Sequence, residues 1–371
     1  MRPRSFALRL SCAALLLLLL GACLPAGPGA GRQGATGPAP TATVRPAHTG
    51  SERGAERPSR RRAAPPTSTA GAVAGLVVEP DEGRGPIEQT IASAQRSLDL
   101  VMYLLTDRQT IAALEAAQER GVRVRVMLEQ HPYGGGPGND AVAQDLQAAG
   151  ITTAWSNPTF RLTHQKTLIV DDATALVMTL NLTASAFSRN REFAVRVTDP
   201  AAVAEIRQVF DADWNRQAVQ PQQPDLVWSP DNARAKLLAL IRGARRTLVV
   251  YNEEMQDREL ETALGQAARR GVGVRVLISP GEGGSDANAP GRERIARAGV
   301  EVRLLKSPYI HAKALVADVG GAGAIAFVGS ENISTSSLDQ NRELGVLLRD
   351  GPRLQRLQAV FEGDWQKASA E

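Results

Sequence analysis

The chain is poor in the residues from which many sites are built. It has two cysteines, Cys12 and Cys23, which excludes a disulfide scaffold and a cysteine-based zinc site. Its four histidines, His48, His131, His164 and His311, argue against a histidine-rich metal cage. Lysine is also scarce: Lys166, Lys236, Lys306, Lys313 and Lys367 are the only five, against 38 arginines. The apolar run from Leu10 to Ala22 falls short of the roughly 20 residues that span a bilayer. A strongly basic body is missing too. Net charge is +4, but residues 1–72 hold ten Arg against two Glu, so residues 73–371 are slightly acidic. Gripping nucleic acid by bulk charge is thereby excluded, although a local basic cleft is not.

What remains is a globular composition. The 371 residues are 43% hydrophobic and 22% charged, enough for two domains with buried cores. The N-terminus is different. Arg2, Arg4 and Arg9 precede the apolar run, which predicts an export signal over residues 1–22. The run ends in Leu20-Gly21-Ala22-Cys23, similar to the lipobox of bacterial lipoproteins, in which the cysteine is acylated and becomes the new N-terminus. A plain secretory signal with an incidental cysteine is the alternative. Residues 24–70 contain eight Pro and seven Gly and only Leu24 and Val44 as large apolar residues, so residues 23–72 are expected to be a disordered tether. Its Arg60-Arg61-Arg62 run suits either anionic lipid headgroups or simple solvation.

After residue 72 the chain repeats itself. Asp107-Arg108 aligns with Asp257-Arg258, and Arg120-Gly121-Val122 with Arg270-Gly271-Val272, at an offset of 150. Asn190-Arg191-Glu192 aligns with Asn341-Arg342-Glu343, and Asp213-Trp214 with Asp364-Trp365, at an offset of 151. These spacings predict a duplicated domain, with one copy over 73–221 and the other over 222–371, joined near the Gln- and Pro-rich stretch 220–224. Each copy alternates strand and helix periodicities. Strands are predicted over 98–103, 122–128, 248–251 and 272–278, and helices over 108–120 and 258–270. Each copy closes on a helix, 201–214 and 353–365, with a terminal Trp as core anchor. The fold class is α/β with a parallel or mixed sheet in each copy.

The chemistry sits in two matching strings. His164-Gln165-Lys166 runs through an apolar strand to Asp171, and His311-Ala312-Lys313 does the same to Asp318, both H-x-K-x4-D. Positions two apart on a strand share a face, so His and Lys project together. Lys offers a positive charge to a phosphate oxygen, and His offers a nucleophilic or proton-transferring nitrogen near neutral pH. An arginine-rich chain keeps lysine at both places. Downstream, Thr179 and Asn181 in the first copy match Ser330 and Asn332 in the second, with hydroxyl and amide groups suited to phosphoryl oxygens. Glu192 and Glu343 are placed to orient an imidazole, or alternatively to pair with a nearby Arg.

On these paired motifs the chain resembles the phospholipase D superfamily over residues 73–371. The resemblance implies two tandem α/β sandwich repeats packed with pseudo-two-fold symmetry and both motifs in one cleft. It implies that the motif residues His164, Lys166, Asp171, His311, Lys313 and Asp318 form the catalytic set. His164 would be the nucleophile that forms a phosphohistidine, and His311 the acid and then base. Lys166, Lys313, Asn181 and Asn332 would hold the phosphate, without metal or cofactor. Two departures stand out. Met178-Thr179 replaces the family's Gly-Ser, which is expected to alter the pocket, and four extra residues around Gly320–Gly323 lengthen a hairpin turn.

The leading expectation is an exported, lipid-anchored hydrolase of phospholipids on the outer side of a bacterial membrane, acting as a monomer. A nuclease is the alternative, since a basic cleft lined by Arg191, Arg342 and the motif lysines would serve either substrate. Phosphatidyl transfer, as in cardiolipin synthases, is the third reading, although those enzymes usually carry N-terminal membrane helices. A non-catalytic lipid- or polyanion-binding protein is disfavoured by intact His and Lys in both copies. His131, before the glycine loop 134–138, is expected to be a surface histidine. The glycine loops lack the Lys-Ser/Thr of a P-loop.

Overall fold

Alternating periodicities produce alternating elements in the structure, a computed structural model that describes residues 73–133, 138–281 and 286–370. The expectations for the signal, the lipid-modified Cys23 and the tether lie outside the described residues. In the first repeat the strands are β1 (Val73–Glu79), β2 (Ser97–Met102), β3 (Arg123–Leu128), β4 (Thr152–Trp155), β5 (Thr167–Val170), β6 (Thr174–Met178) and β7 (Asn190–Val197). Its helices are α1 (Gly85–Ala92), α2 (Arg108–Glu119), α3 (Asp140–Ala148) and α4 (Pro200–Trp214). The second repeat has β8 (Leu226–Ser229), β9 (Thr247–Tyr251), β10 (Gly273–Ile278), β11 (Glu301–Leu304), β12 (Tyr309–Ile310), β13 (Lys313–Ala317), β14 (Ile325–Gly329), β15 (Glu343–Leu348) and β16 (Ser369–Ala370). Its helices are α5 (Ala233–Gly243), α6 (Arg258–Arg269), α7 (Ala289–Arg297), α8 (Thr335–Asp339) and α9 (Gly351–Lys367).

The repeated Asp107 and Asp257 are helix caps. Asp107 accepts from the Thr110 N–H, and Asp257 from the Glu259 and Leu260 N–H groups, which satisfies donors the first helical turn leaves open. Gly121 and Gly271, at φ 87° and 89°, take the left-handed conformation that ends those helices. Both sheets are mixed and share one order. The first runs β1-β7-β6-β5-β2-β3-β4, and the second runs β8-β15-β14-β13-β9-β10-β11 with β16 added at the edge. β2, β3 and β4 are parallel, while β5, β6 and β7 pair antiparallel. The insertion at Gly320–Gly323 lies in the β13–β14 hairpin, with Gly320 at φ 79°.

Each sheet buries both faces. Leu98, Leu100, Val124 and Val126 pack outward on Ile91, Leu114 and Leu146 from α1, α2 and α3. Leu248, Val250, Val274 and Val276 do the same on Ile241, Leu260 and Ile295 from α5, α6 and α7. The inner faces form one common core with α4 and α9, in which Val177, Phe193, Tyr251, Val328, Phe210 and Phe361 meet. Phe193 of one repeat lies 5.5 Å from Tyr251 of the other, ring centre to ring centre. Trp365 is buried in that core, and Trp214 packs half-buried on its edge. The described residues therefore form one compact unit.

Candidate active site

Each H-x-K segment leads into a central strand, and main-chain hydrogen bonds tie it to the opposite repeat. The N–H groups of His164 and Gln165 donate to the Arg342 carbonyl at 2.9 and 3.0 Å. In the symmetric place, β12 pairs with Asn190 and Arg191, and the Ala312 N–H donates to the Arg191 carbonyl at 2.9 Å. The residues after Arg191 and Arg342 are Glu192 and Glu343. Strand alternation turns each Glu to the site and each Arg away from it.

The result is a crossed pairing. His164 Nδ1 lies 2.9 Å from Glu343 Oε2, and His311 Nδ1 lies 2.7 Å from Glu192 Oε1. Each imidazole is oriented by a carboxylate from the other repeat. Those carboxylates are fixed in turn. Glu343 accepts from Ser337 Oγ at 2.7 Å and Asn341 Nδ2 at 3.1 Å, and Glu192 accepts from Thr179 Oγ1 at 2.6 Å. Burial would raise both carboxyls, but His164 beside Glu343 and His311 beside Glu192, with the motif lysines, hold them below the ordinary range. Burial also pushes His164 down and outweighs the pull of Glu343, while Lys166 adds to the downward push. A neutral imidazole whose Nδ1–H donates to Glu343 leaves the Nε2 lone pair free.

Both lysines are buried, and each Nζ folds back to donate to the carbonyl of its motif histidine. Their surroundings otherwise differ. Lys166 Nζ lies 5.1 Å from the centre of the Tyr103 ring, which also meets His164 edge-on at 4.7 Å. Burial lowers Lys166 to about 7. Lys313 Nζ instead donates to Glu253 Oε2 at 2.7 Å, and that oxygen is 3.5 Å from His311 Nε2. Tyr103 and Glu253 occupy equivalent positions just after β2 and β9. Sequence reasoning did not single out either one. The 150-residue offset and their place at strand ends, where sites form, were the signals available.

Several expected site residues lie elsewhere. Asp171 and Asp318 are not in the cleft. They sit at the far ends of β5 and β13, at φ 54° and 55°. Asp171 accepts from the N–H groups of Gln95, Arg96 and Ser97 at 2.7–2.9 Å, and Asp318 from those of Arg245, Arg246 and Thr247 at 2.7–3.0 Å. Four intervening strand residues carry each carboxylate well away from its lysine, so these two are structural staples. Thr179 and Ser330 are also turned inward. The Thr179 hydroxyl serves Glu192, and Ser330 Oγ accepts from the Leu344 N–H at 3.1 Å. Asn332 stays at the site, with Nδ2 3.5 Å from Glu253 Oε2. Asn181 and Asn332 each keep a buried amide oxygen without a partner among the described residues.

Arg191 and Arg342 do not line a basic cleft. Arg191 is buried against Asp364 at 2.6 Å, and Arg342 against Asp213 at 2.9 Å, so both are ion pairs that join one repeat to the closing helix of the other. Met178 does not crowd the pocket, because it faces the apolar layer beneath the first repeat's helices. At its counterpart Gly329, a Cβ would meet Glu331 Oε2, the Gly345 Cα and the Phe327 ring, so only glycine fits there. His131 is exposed.

Residues 87–214 and 237–365, one stretch per repeat, match the family described as "Cardiolipin synthase, PLD-like domain". The chain belongs to the phospholipase D superfamily. Among curated relatives, cardiolipin synthase B of Salmonella typhi is 27% identical over 335 residues, covering 78% of this chain and 79% of that protein. Two solved structures share the fold. Phosphatidylserine synthase of Haemophilus influenzae superposes with a TM-score of 0.61 at 12% identity, covering 81% of this chain and 90% of the other. Polyphosphate kinase of Porphyromonas gingivalis gives a TM-score of 0.64 at 18% identity, covering 80% of this chain and 48% of the other. The chain is thus a phospholipase D-superfamily enzyme of the phosphodiesterase or phosphatidyltransferase type, with two tandem repeats.

Proposed function

We propose that this enzyme transfers a phosphatidyl group between alcohols through a phosphohistidine, in the manner of a cardiolipin synthase. The similarity to cardiolipin synthase B along four-fifths of that protein carries the choice of transfer over the hydrolysis expected from sequence. The crossed His–Glu pairs and the buried lysines support the following steps. His164 Nε2 attacks phosphorus, a P–N bond forms, and the P–O bond to the first alcohol breaks as His311 gives that oxygen a proton. An acceptor alcohol then loses its proton to His311 and attacks phosphorus, which releases His164. Lys166, Lys313 and the amides of Asn181 and Asn332 stabilise the phosphoryl oxygens. Water in place of the acceptor gives hydrolysis by the same steps.

The test is to incubate the purified protein, with chelator, on phosphatidylglycerol vesicles and, separately, on single-stranded DNA. Cardiolipin and free glycerol are the expected products. Phosphatidic acid alone would replace transfer with hydrolysis, and DNA cleavage without lipid turnover would make the chain a nuclease.

We also propose that the chain works on the outer side of a membrane, held there by lipid on Cys23, a reading supported by the Leu-Gly-Ala-Cys string after a basic and apolar leader. Cys23→Ser is expected to move the protein into the soluble fraction with full specific activity in detergent-dispersed lipid. Sedimentation with membranes after a salt wash would show another anchor.

A further inference from the structure

The two sides of the site are not alike. Where the first repeat presents the Tyr103 ring to its motif lysine, the second presents the Glu253 carboxylate. Its Oε2 is 2.7 Å from Lys313 Nζ, 3.5 Å from His311 Nε2 and 3.5 Å from Asn332 Nδ2. Those are the three groups assigned above to a phosphoryl oxygen and to the departing alcohol. A carboxylate oxygen and a phosphate oxygen ask for the same donors, so the two compete for one place. Glu253 is one-quarter exposed, unlike the fully buried Glu192 and Glu343. Burial would raise its carboxyl, yet His311 and Lys313 hold it below the ordinary range.

We infer that Glu253 is a specificity-determining residue, which occupies the phosphoryl position in the empty site and, once displaced, selects alcohols bearing hydroxyl or ammonium donors. This inference rests on the proposed phosphodiester chemistry. When a phosphate enters, Lys313 and Asn332 turn to it, and the carboxylate loses its partners. It stays at the mouth beside His311, where the leaving and accepting alcohols pass. A polyol or amino-alcohol group gives the carboxylate new donors and offsets the loss. An aryl group gives none, and an anion is repelled. Tyr103 leaves the other side of the phosphate apolar, so the asymmetry distinguishes the group that moves from the one that stays.

The test compares the wild-type protein with Glu253→Gln, with Glu253→Ala as a second variant should the first fold poorly. Titration with inorganic phosphate reads the competition without catalysis, and the variants are expected to bind about tenfold more tightly. The ratio of kcat/KM for phosphatidylglycerol to that for bis(p-nitrophenyl) phosphate is expected to fall about tenfold, because the aryl diester gains from the loss of the carboxylate and the polyol does not. Unchanged or weaker phosphate binding overturns the displacement, and an unchanged ratio overturns the selection. If neither protein turns over phosphatidylglycerol, the transfer reading fails, while the phosphate titration still decides the role of Glu253.

Discussion

At the scale of single residues, the site is a set of charges that folding alone would not choose. Lys166, Lys313, Glu192 and Glu343 are fully buried, and buried ions are costly unless each finds a partner. Glu79 is a further buried carboxyl. It stands opposite Glu192 in the β1–β7 register, where the second repeat has Ser229 opposite Glu343. Its Oε2 accepts from the Gly83 N–H at 2.7 Å, but Oε1 has no partner among the described residues. Burial, with the charges of Glu82 and Glu192, pushes this carboxyl up to about 8, from 4.5 in the unfolded chain. Between those values the folded state holds a proton that the unfolded state has released. Stability therefore falls as pH rises through that window, by at most ~1.4 kcal/mol per pH unit. Glu79→Gln keeps the bond to Gly83 and removes the titration. The variant is expected to melt with the wild type at pH 5 and ~5 °C or more above it at pH 8. An equal offset at both pH values would show that Glu79 does not hold its proton in the folded protein.

At the scale of elements, most of the fold was legible because periodicity encodes it. The predicted helix over 108–120 is observed at Arg108–Glu119, and the strand over 122–128 at Arg123–Leu128. The two-residue spacing of His164 and Lys166, and of His311 and Lys313, pointed each pair to one side, whereas one cleft holding both pairs was implied only by the phospholipase D resemblance. The partners were not. The sequence puts Glu192 near a histidine, but it does not say that the histidine is His311. That choice depends on two sheets meeting face to face and on the Arg191 and Arg342 carbonyls receiving the opposite motif. Arg191 and Arg342 looked like cleft residues because their charge is local information, whereas their partners Asp364 and Asp213 lie 173 and 129 residues away. Asp171 and Asp318 were carried into the catalytic set by the motif's spelling. Their three backbone donors come from the turn before β2 or β9 and the first residue of that strand, a contact no local pattern announces. Glu253 was missed because Asn252-Glu253-Glu254 reads as an ordinary polar loop until Lys313 is placed beside it.

At the scale of the whole molecule, the duplication forms one body whose parts depend on each other. The inner faces of both sheets share one core, so either repeat alone would expose Phe193 and Val177, or Tyr251 and Val328, to water. It would also leave Arg191 without Asp364, or Arg342 without Asp213. Removing one partner of such a buried pair costs about 3–5 kcal/mol, a large share of the stability of a domain. Each histidine would lose its orienting carboxylate as well. Residues 73–221 and 222–371, expressed separately, are therefore expected to be aggregated or dye-binding and inactive. Expressed together, they should associate and regain activity, because the break falls in the exposed stretch between α4 and β8. The crossed pairing makes the mixture more demanding than simple complementation. A first fragment carrying Glu192→Ala should assemble normally yet leave His311, on the unmutated fragment, badly oriented. On the mechanism proposed above, in which His311 protonates the leaving alkoxide, turnover should then drop most for phosphatidylglycerol and least for bis(p-nitrophenyl) phosphate, whose leaving group needs no proton. An isolated repeat that melts cooperatively as a monomer would break the shared-core account. Equal losses on both substrates would break the assignment of Glu192 to the acid across the interface.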